Sequence, residues 1–198
     1  MSWLALFLSR IGVTSTIYDF DTVEKRNLGG QFYSKNSVGK TKIKALSEAI
    51  DTFSYQNHLI TQNHRLDNNT PVSAFSFSAF DNMKARKDMF TAWKNKINSI
   101  PNSYKSIFID GRLEAEFFQI YCVTPSRMER YEATLFDDDT ILETACSVKQ
   151  TSHVAAMIGS FMTGFFTNHL TNIAENTKVR EVPFKYELFL PLITTYEE

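Results

Sequence analysis

Three polar clusters stand where the chain leaves its extended runs. Asp19 and Asp21 close Ile17-Tyr18-Asp19-Phe20-Asp21, Asp81 and Asn82 follow the run ending at Phe80, and Lys42 falls in the first turn of a helix within Val38-Gly39-Lys40-Thr41-Lys42. In an open α/β sheet, ligands bind outside the carboxyl ends of strands. Two acidic groups and an ammonium gathered there suit a nucleotide and its metal. One carboxylate takes the ribose hydroxyls, another takes Mg²⁺, and the ammonium offsets phosphate charge. Plainer roles compete. Asp closes turns, Asp81 serves equally as N-cap of a helix from Met83, and Arg86 is most simply the partner of a neighbouring acid.

The elements that must position these groups are legible from periodicity. Ser2 to Ile11 is a nearly all-apolar helix, capped by Ser2 and ended by Gly12. Thr14 to Tyr18 reads as a strand, Asp19 to Asn36 as irregular, and Val38 to Phe53 as a helix with Leu46, Ala49, Ile50 and Phe53 on one face. His58 to Gln62 and Val72 to Phe80 follow as strands, and Met83 to Ile97 as a helix with a basic outer face. Ser106 to Asp110, Glu116 to Val123 and Tyr131 to Phe136 read as a meander that turns first at Gly111. The spacing from Val154 to Ile173 predicts a long helix, and Arg180 to Leu190 an edge strand interrupted by Pro183. Helices and strands alternating in this way predict an α/β fold: a mostly parallel, Rossmann-like sheet flanked by helices, with a C-terminal antiparallel meander. One domain is expected over 1–198, with residues 1–110 as the nucleotide-binding half and 111–198 as meander, long helix and tail.

Composition bounds the function. The 198 residues carry 21 basic and 22 acidic side chains, 43% hydrophobic residues, and 17 Phe against 7 Gly. This suits a globular protein with an aromatic-rich core, and it excludes a disordered tail or a strongly basic nucleic-acid binder. Two cysteines, Cys122 and Cys146, make neither a disulfide framework nor a four-cysteine zinc site. The apolar start lacks the leading basic residues of a signal peptide, and no run reaches the ~18 apolar residues of a membrane span. The expected location is the cytoplasm.

The motifs carry a resemblance. Asp19-Phe20-Asp21-Thr22-Val23-Glu24-Lys25-Arg26-Asn27-Leu28-Gly29-Gly30-Gln31, then Val38-Gly39-Lys40-Thr41-Lys42, then Asp81-Asn82-Met83-Lys84-Ala85-Arg86 resembles the ThiF/MoeB/HesA family of adenylating enzymes, relatives of ubiquitin-activating enzymes. The resemblance implies that Asp19 binds the ATP ribose, with Asp21 beside it, and that Asn27 and Gln31 contact phosphates. It implies that Lys42 stabilises charge at the α-phosphorus, that Asp81 holds Mg²⁺ beside Asn82, and that Arg86 orients their loop. The implied reaction is ATP-dependent adenylation of a carboxylate, the C-terminus of a ubiquitin-like or sulfur-carrier protein. A homodimer is implied by analogy.

The chain departs from that pattern in three ways. Gly30 stands where the family has an arginine, the paired Cys-x-x-Cys zinc motifs are absent, and so is the glycine-rich phosphate loop. In a dinucleotide-type fold the ribose acid lies ~20 residues beyond that loop. Counting back from Asp19 puts the loop, and the central strand before it, at or before Met1. The expectation is a chain missing that first strand, or a sheet rebuilt around its absence. These departures motivate a second reading, a non-catalytic binding partner or heterodimer subunit of the same fold. A nicotinamide or flavin oxidoreductase is a third, which leaves Lys42 without a role.

Cys146, ahead of the long helix, is a candidate nucleophile because a helix N-terminus stabilises a thiolate; a small buried cysteine is the simpler reading. Cys122 reads as core. His58, His64, His153 and His169 show no ligand spacing.

Overall fold

The computed structural model describes residues 1–56, 58–137 and 151–190. The chain runs α1 (Ser2–Arg10), β1 (Ser15–Tyr18), α2 (Lys42–Phe53), β2 (Leu59–Gln62), β3 (Phe75–Ser78), α3 (Met83–Asn98), β4 (Ile107–Glu114), β5 (Phe117–Val123), α4 (Met128–Glu132), α5 (Ser152–Ala174) and β6 (Lys185–Phe189). Two short 3-10 turns, Lys25–Gly29 and Lys35–Ser37, punctuate the segment between β1 and α2.

The architecture is a Rossmann-like α/β fold whose strands fall into two groups. β1 and β2 pair in parallel, and β3-β4-β5-β6 form a second sheet in that order. β3 and β4 are parallel, with Phe75 opposite Ile107 and Ser78 opposite Asp110. β4, β5 and β6 are antiparallel. The division falls between β1 and β3. A hydrogen bond of 2.7 Å from the Tyr18 hydroxyl to the Pro71 carbonyl links the strand on one side to the approach to the strand on the other.

Among the described residues, three apolar clusters form the core. α5 lies on one face of the larger sheet, packing Val154, Ile158, Met162 and Phe166 on Ile107, Ile109, Phe118 and Ile120, with Leu4 and Leu8 of α1 in the same cluster. α3 covers the opposite face, where Phe90, Trp93 and Ile97 meet Phe108, Tyr121, Val123 and Tyr131. The period-2 alternation of β4 and β5 serves both faces, so their side chains are buried on each side. A third cluster joins α1 to α2 through Ala5, Leu6, Leu46 and Ile50. α1 therefore buries two faces, as its lack of a polar stripe predicts.

Several local expectations are corrected. Tyr131 to Phe136 is not the third meander strand. Tyr131 lies in α4, fully buried against α3, and β6 takes the third position. Gly111 does not turn the chain but sits inside β4, where its missing side chain leaves room for Met162 and Ile158. The turn comes at Ala115, with a φ of 52°. Ser2 does not cap α1; the cap position is Met1, and the Ser2 hydroxyl accepts from Phe32 N–H at 2.8 Å. Among the described residues, no helix is long and apolar enough to cross a membrane.

Candidate functional site

Asp19, Asp21 and Lys42 come together at the carboxyl end of β1. Asp21 N–H donates to Asp19 Oδ1 at 2.9 Å, and Lys42 N–H donates to the Asp21 carbonyl at 2.8 Å. A bridge between Thr22 and Thr41, with Val23 N–H donating to the Lys40 carbonyl, sews the start of α2 to the segment after β1. This backbone stitching brings the Lys42 ammonium to 2.6 Å from Asp21 Oδ2. Two motifs 21 residues apart in sequence thus form one charged cluster.

The N-terminus of α1 faces the same cluster. Asp19 and Lys42 are among the charges acting on the backbone at Met1, which precedes this helix. Burial raises the Asp19 carboxyl above its ordinary value, against the lowering effect of the Asp21 N–H and of Lys42. The Tyr33 hydroxyl is shifted upward, first by burial and then by Asp19 and Asp21. Tyr33 is a neighbour of the site that sequence reasoning missed. Its position two residues after Gln31 was the only signal.

The loop bearing Asn27 and Gln31 is tied down beside this helix end. Trp3 Nε1 donates to the Gly30 carbonyl at 3.0 Å, and the Ser152 hydroxyl donates to the Gly29 carbonyl at 2.7 Å. Asn27 has a structural duty as well: its Oδ1 accepts from Glu24 N–H at 2.8 Å in a reciprocal capping box that closes the 3-10 turn. Gln31 N–H donates to the Asn27 carbonyl at 2.8 Å, and the Gln31 side chain is half-buried.

Asp81 and Asn82 lie just past the carboxyl end of β3, in the other sheet. Asn82, not Asp81, is the N-cap of α3, its Oδ1 accepting from Ala85 N–H at 2.8 Å. Its amide donates to Asp81 Oδ1 at 3.1 Å, and Asp81 remains exposed. Arg86 pairs with buried Asp110, the acid partner expected of it, and donates to the Phe80 carbonyl. Two shallow hollows of about 350 and 320 Å³ lie elsewhere, one on the Ser160–Asn168 face of α5 and one between residues 68–72 and α3. Neither joins the Asp19 cluster to Asp81.

Among the described residues no three His, Cys, Asp or Glu side chains gather as a metal centre. Mg²⁺ commonly takes one or two protein carboxylates and completes its shell with substrate phosphates and water. The exposed Asp81 fits that mode and no denser one. Cys122 is buried in β5, and burial pushes its thiol up to about 12, which keeps it protonated at neutral pH. Cys146 lies outside the described residues.

Known proteins share this arrangement of elements. PaaA superposes with a TM-score of 0.63 at 17% identity, the match covering all of this chain and 68% of that one. The Escherichia coli tRNA N6-threonylcarbamoyladenosine dehydratase TcdA gives 0.62 at 14% identity, covering 88% and 83%, and has been solved in complex with AMP and with ATP. E. coli MccB, solved with MccA-N7isoASN, gives 0.66 at 11% identity, covering 98% of this chain and 59% of its own. At these identities the likeness is one of fold. No curated protein matches the sequence. The ThiF family profile spans residues 2–191, and with the motifs after β1, at α2 and after β3 in family order, the chain belongs to the ThiF family.

Proposed function

We propose that this protein uses ATP to activate a carboxylate as an acyl-adenylate, and that the carboxylate is the C-terminus of a ubiquitin-like or sulfur-carrier protein. The observation that carries the reading is the convergence of Asp19, Asp21 and Lys42 at the carboxyl end of β1, beside the N-terminus of α1. A helix N-terminus and an ammonium are the two groups that favour phosphate anions. The complexes of TcdA with AMP and ATP, and of MccB with MccA-N7isoASN, support the same class of substrates here.

In this reaction a carboxylate oxygen of the substrate attacks the α-phosphorus, and the bond from that phosphorus to the bridging oxygen breaks. Pyrophosphate leaves with the electron pair. Negative charge grows at the α-phosphoryl oxygens, so the stabilising cations must be in place beforehand. Lys42 supplies one of them once it exchanges Asp21 for phosphate. Asp19 takes the ribose hydroxyls, while Asn27 and Gln31 contact phosphate from the tethered loop. Asp81 would hold Mg²⁺, which neutralises triphosphate charge when bound. A second copy of the chain is the expected partner by family analogy.

A second reading, a non-catalytic partner of the same fold, is favoured by one specific observation: Lys42 already has a counter-ion in Asp21, and Gly30 leaves no arginine to share the load. ATP–pyrophosphate exchange with candidate carrier proteins, together with calorimetric titration of Mg-ATP, separates the two. Exchange that is lost on Asp81→Ala supports the enzyme. Absence of both exchange and nucleotide binding overturns it in favour of the scaffold.

A further inference from the structure

The Asp81–Asn82 turn is held from behind by a buried ionic network. Asp110 is fully buried, and its carboxylate accepts from Arg86 Nη1, from Arg112 Nε at 2.9 Å and from the Tyr131 hydroxyl at 3.0 Å. Arg86, with its side chain 7% exposed, also donates from Nη1 to the Gly111 carbonyl at 3.1 Å and from Nη2 to the Phe80 carbonyl. Phe80 directly precedes Asp81. Ser78, two residues earlier, is the register partner of Asp110. One guanidinium therefore ties the carboxyl end of β3 to β4, while the Asn82 cap closes the turn from the helix side.

Stability alone is a poor reason for this construction. Placing a carboxylate and two guanidiniums in the interior carries a desolvation cost that well-packed apolar side chains avoid. What the ions add is direction. The planar fork of arginine reaches a carboxylate and a carbonyl at fixed angles, which a lysine does not reproduce. Arg112 in turn is clamped by Thr134 and lies over Tyr121, 4.4 Å from the ring centre. Burial would lower its affinity for a proton, but Asp110 beside it raises it, so Arg112 stays charged.

We infer that Asp110 is a positioning residue for the Asp81–Asn82 turn and acts through Arg86. Where the turn is asked to meet a phosphate-bound cation, the inference rests on the adenylation reading. The position of the turn itself does not.

The test uses Asp110→Asn and Arg86→Lys in the full chain, the second keeping the experiment decisive if the first does not fold. Hydrogen–deuterium exchange is followed at residues 80–85, with residues 158–166 of α5 as internal reference. The Mg²⁺ concentration that half-saturates ATP binding is measured alongside. Exchange at 80–85 is expected to speed up at least about tenfold beyond any change in α5. The Mg²⁺ requirement is expected to rise about 10–100-fold, the usual effect of losing an outer partner of a ligand, with metal-free ATP binding unchanged. Equal acceleration of both segments, or an unaltered Mg²⁺ requirement in a protein that binds Mg-ATP, overturns the inference. If the unmodified protein binds no Mg-ATP, the adenylation reading falls and the exchange comparison alone decides the positioning role.

Discussion

Lys42 Nζ stands 2.6 Å from Asp21 Oδ2, so the ammonium that the proposed reaction assigns to phosphate is held by a carboxylate from the neighbouring motif. Asp21 is half exposed, and a pair of this kind contributes only ~0–1 kcal/mol to folding. Its consequence is for binding. Asp21→Asn should leave thermal stability nearly unchanged and tighten metal-free ATP binding, because the ammonium no longer divides its charge. Lys42→Ala should weaken that binding about tenfold or more, the scale of one lost charge-assisted hydrogen bond. Calorimetric titration measures both. Weaker binding in Asp21→Asn would contradict the arrangement.

Asp19 places a carboxylate where burial raises its proton affinity. A carboxyl whose folded value is raised contributes stability below its unfolded value, 3.8, and loses that contribution as pH rises through the folded value. At pH 7 the ionised group is therefore a cost to the fold. Asp19→Asn retains an acceptor for Asp21 N–H and should raise the melting temperature at pH 7, with the gain vanishing as pH falls toward 3.8. The same variant should lose ATP affinity. Paired melts at the two pH values check the sign, and an advantage that persists in acid would refute it.

α1 crosses α5 at Gly159, where an added methyl group would meet the Leu4 backbone nitrogen at 3.0 Å and Trp3 Cβ at 3.3 Å. A backbone atom cannot rotate away. Gly159→Ala should cost roughly 1–2 kcal/mol, the overpacking penalty less the gain in helix propensity. Gly164, five residues further along with open space around its Cβ position, is the control: Gly164→Ala should stabilise by up to ~1 kcal/mol. Urea unfolding distinguishes them.

Asn82 caps α3, and the proposed reaction gives Mg²⁺ to Asp81. Asn82→Ala removes the α3 cap and should destabilise by ~1 kcal/mol. Asp81→Ala, at an exposed position, should leave stability within about 0.5 kcal/mol while abolishing the Mg²⁺ dependence of ATP binding. Denaturation curves and Mg²⁺ titrations of the two variants test the division, and a stability loss confined to Asp81→Ala would reverse it.

Local pattern carried much of this fold. The unbroken helical spacing from Val154 to Ile173 and the apolar face of the helix ending at Phe53 are set by burial of one stripe, which side-chain spacing alone encodes. Short segments were not legible in the same way. The segment Tyr131 to Phe136 reads locally as a strand, yet Tyr131 lies in α4, where its hydroxyl reaches the buried acceptor offered by Asp110 on a different element. Gly111 reads as a turn signal in isolation, yet it is a close-packing position under Met162.

Residue types and their order established that the acids after Tyr18, the lysine at the start of a helix and the later acid–amide pair follow the ThiF motif order, because those identities are chemical and survive without coordinates. Which of them touch was decided by tertiary structure. Lys42 reaches Asp21 because the segments at Thr22 and Thr41 pair, and Asn82 caps α3 in place of Asp81 because its oxygen lies in line with Ala85 N–H. Asp110 becomes a hub because the register of β3 on β4 sets it behind the turn. Such contacts depend on distances across elements far apart in sequence, and no local periodicity encodes them.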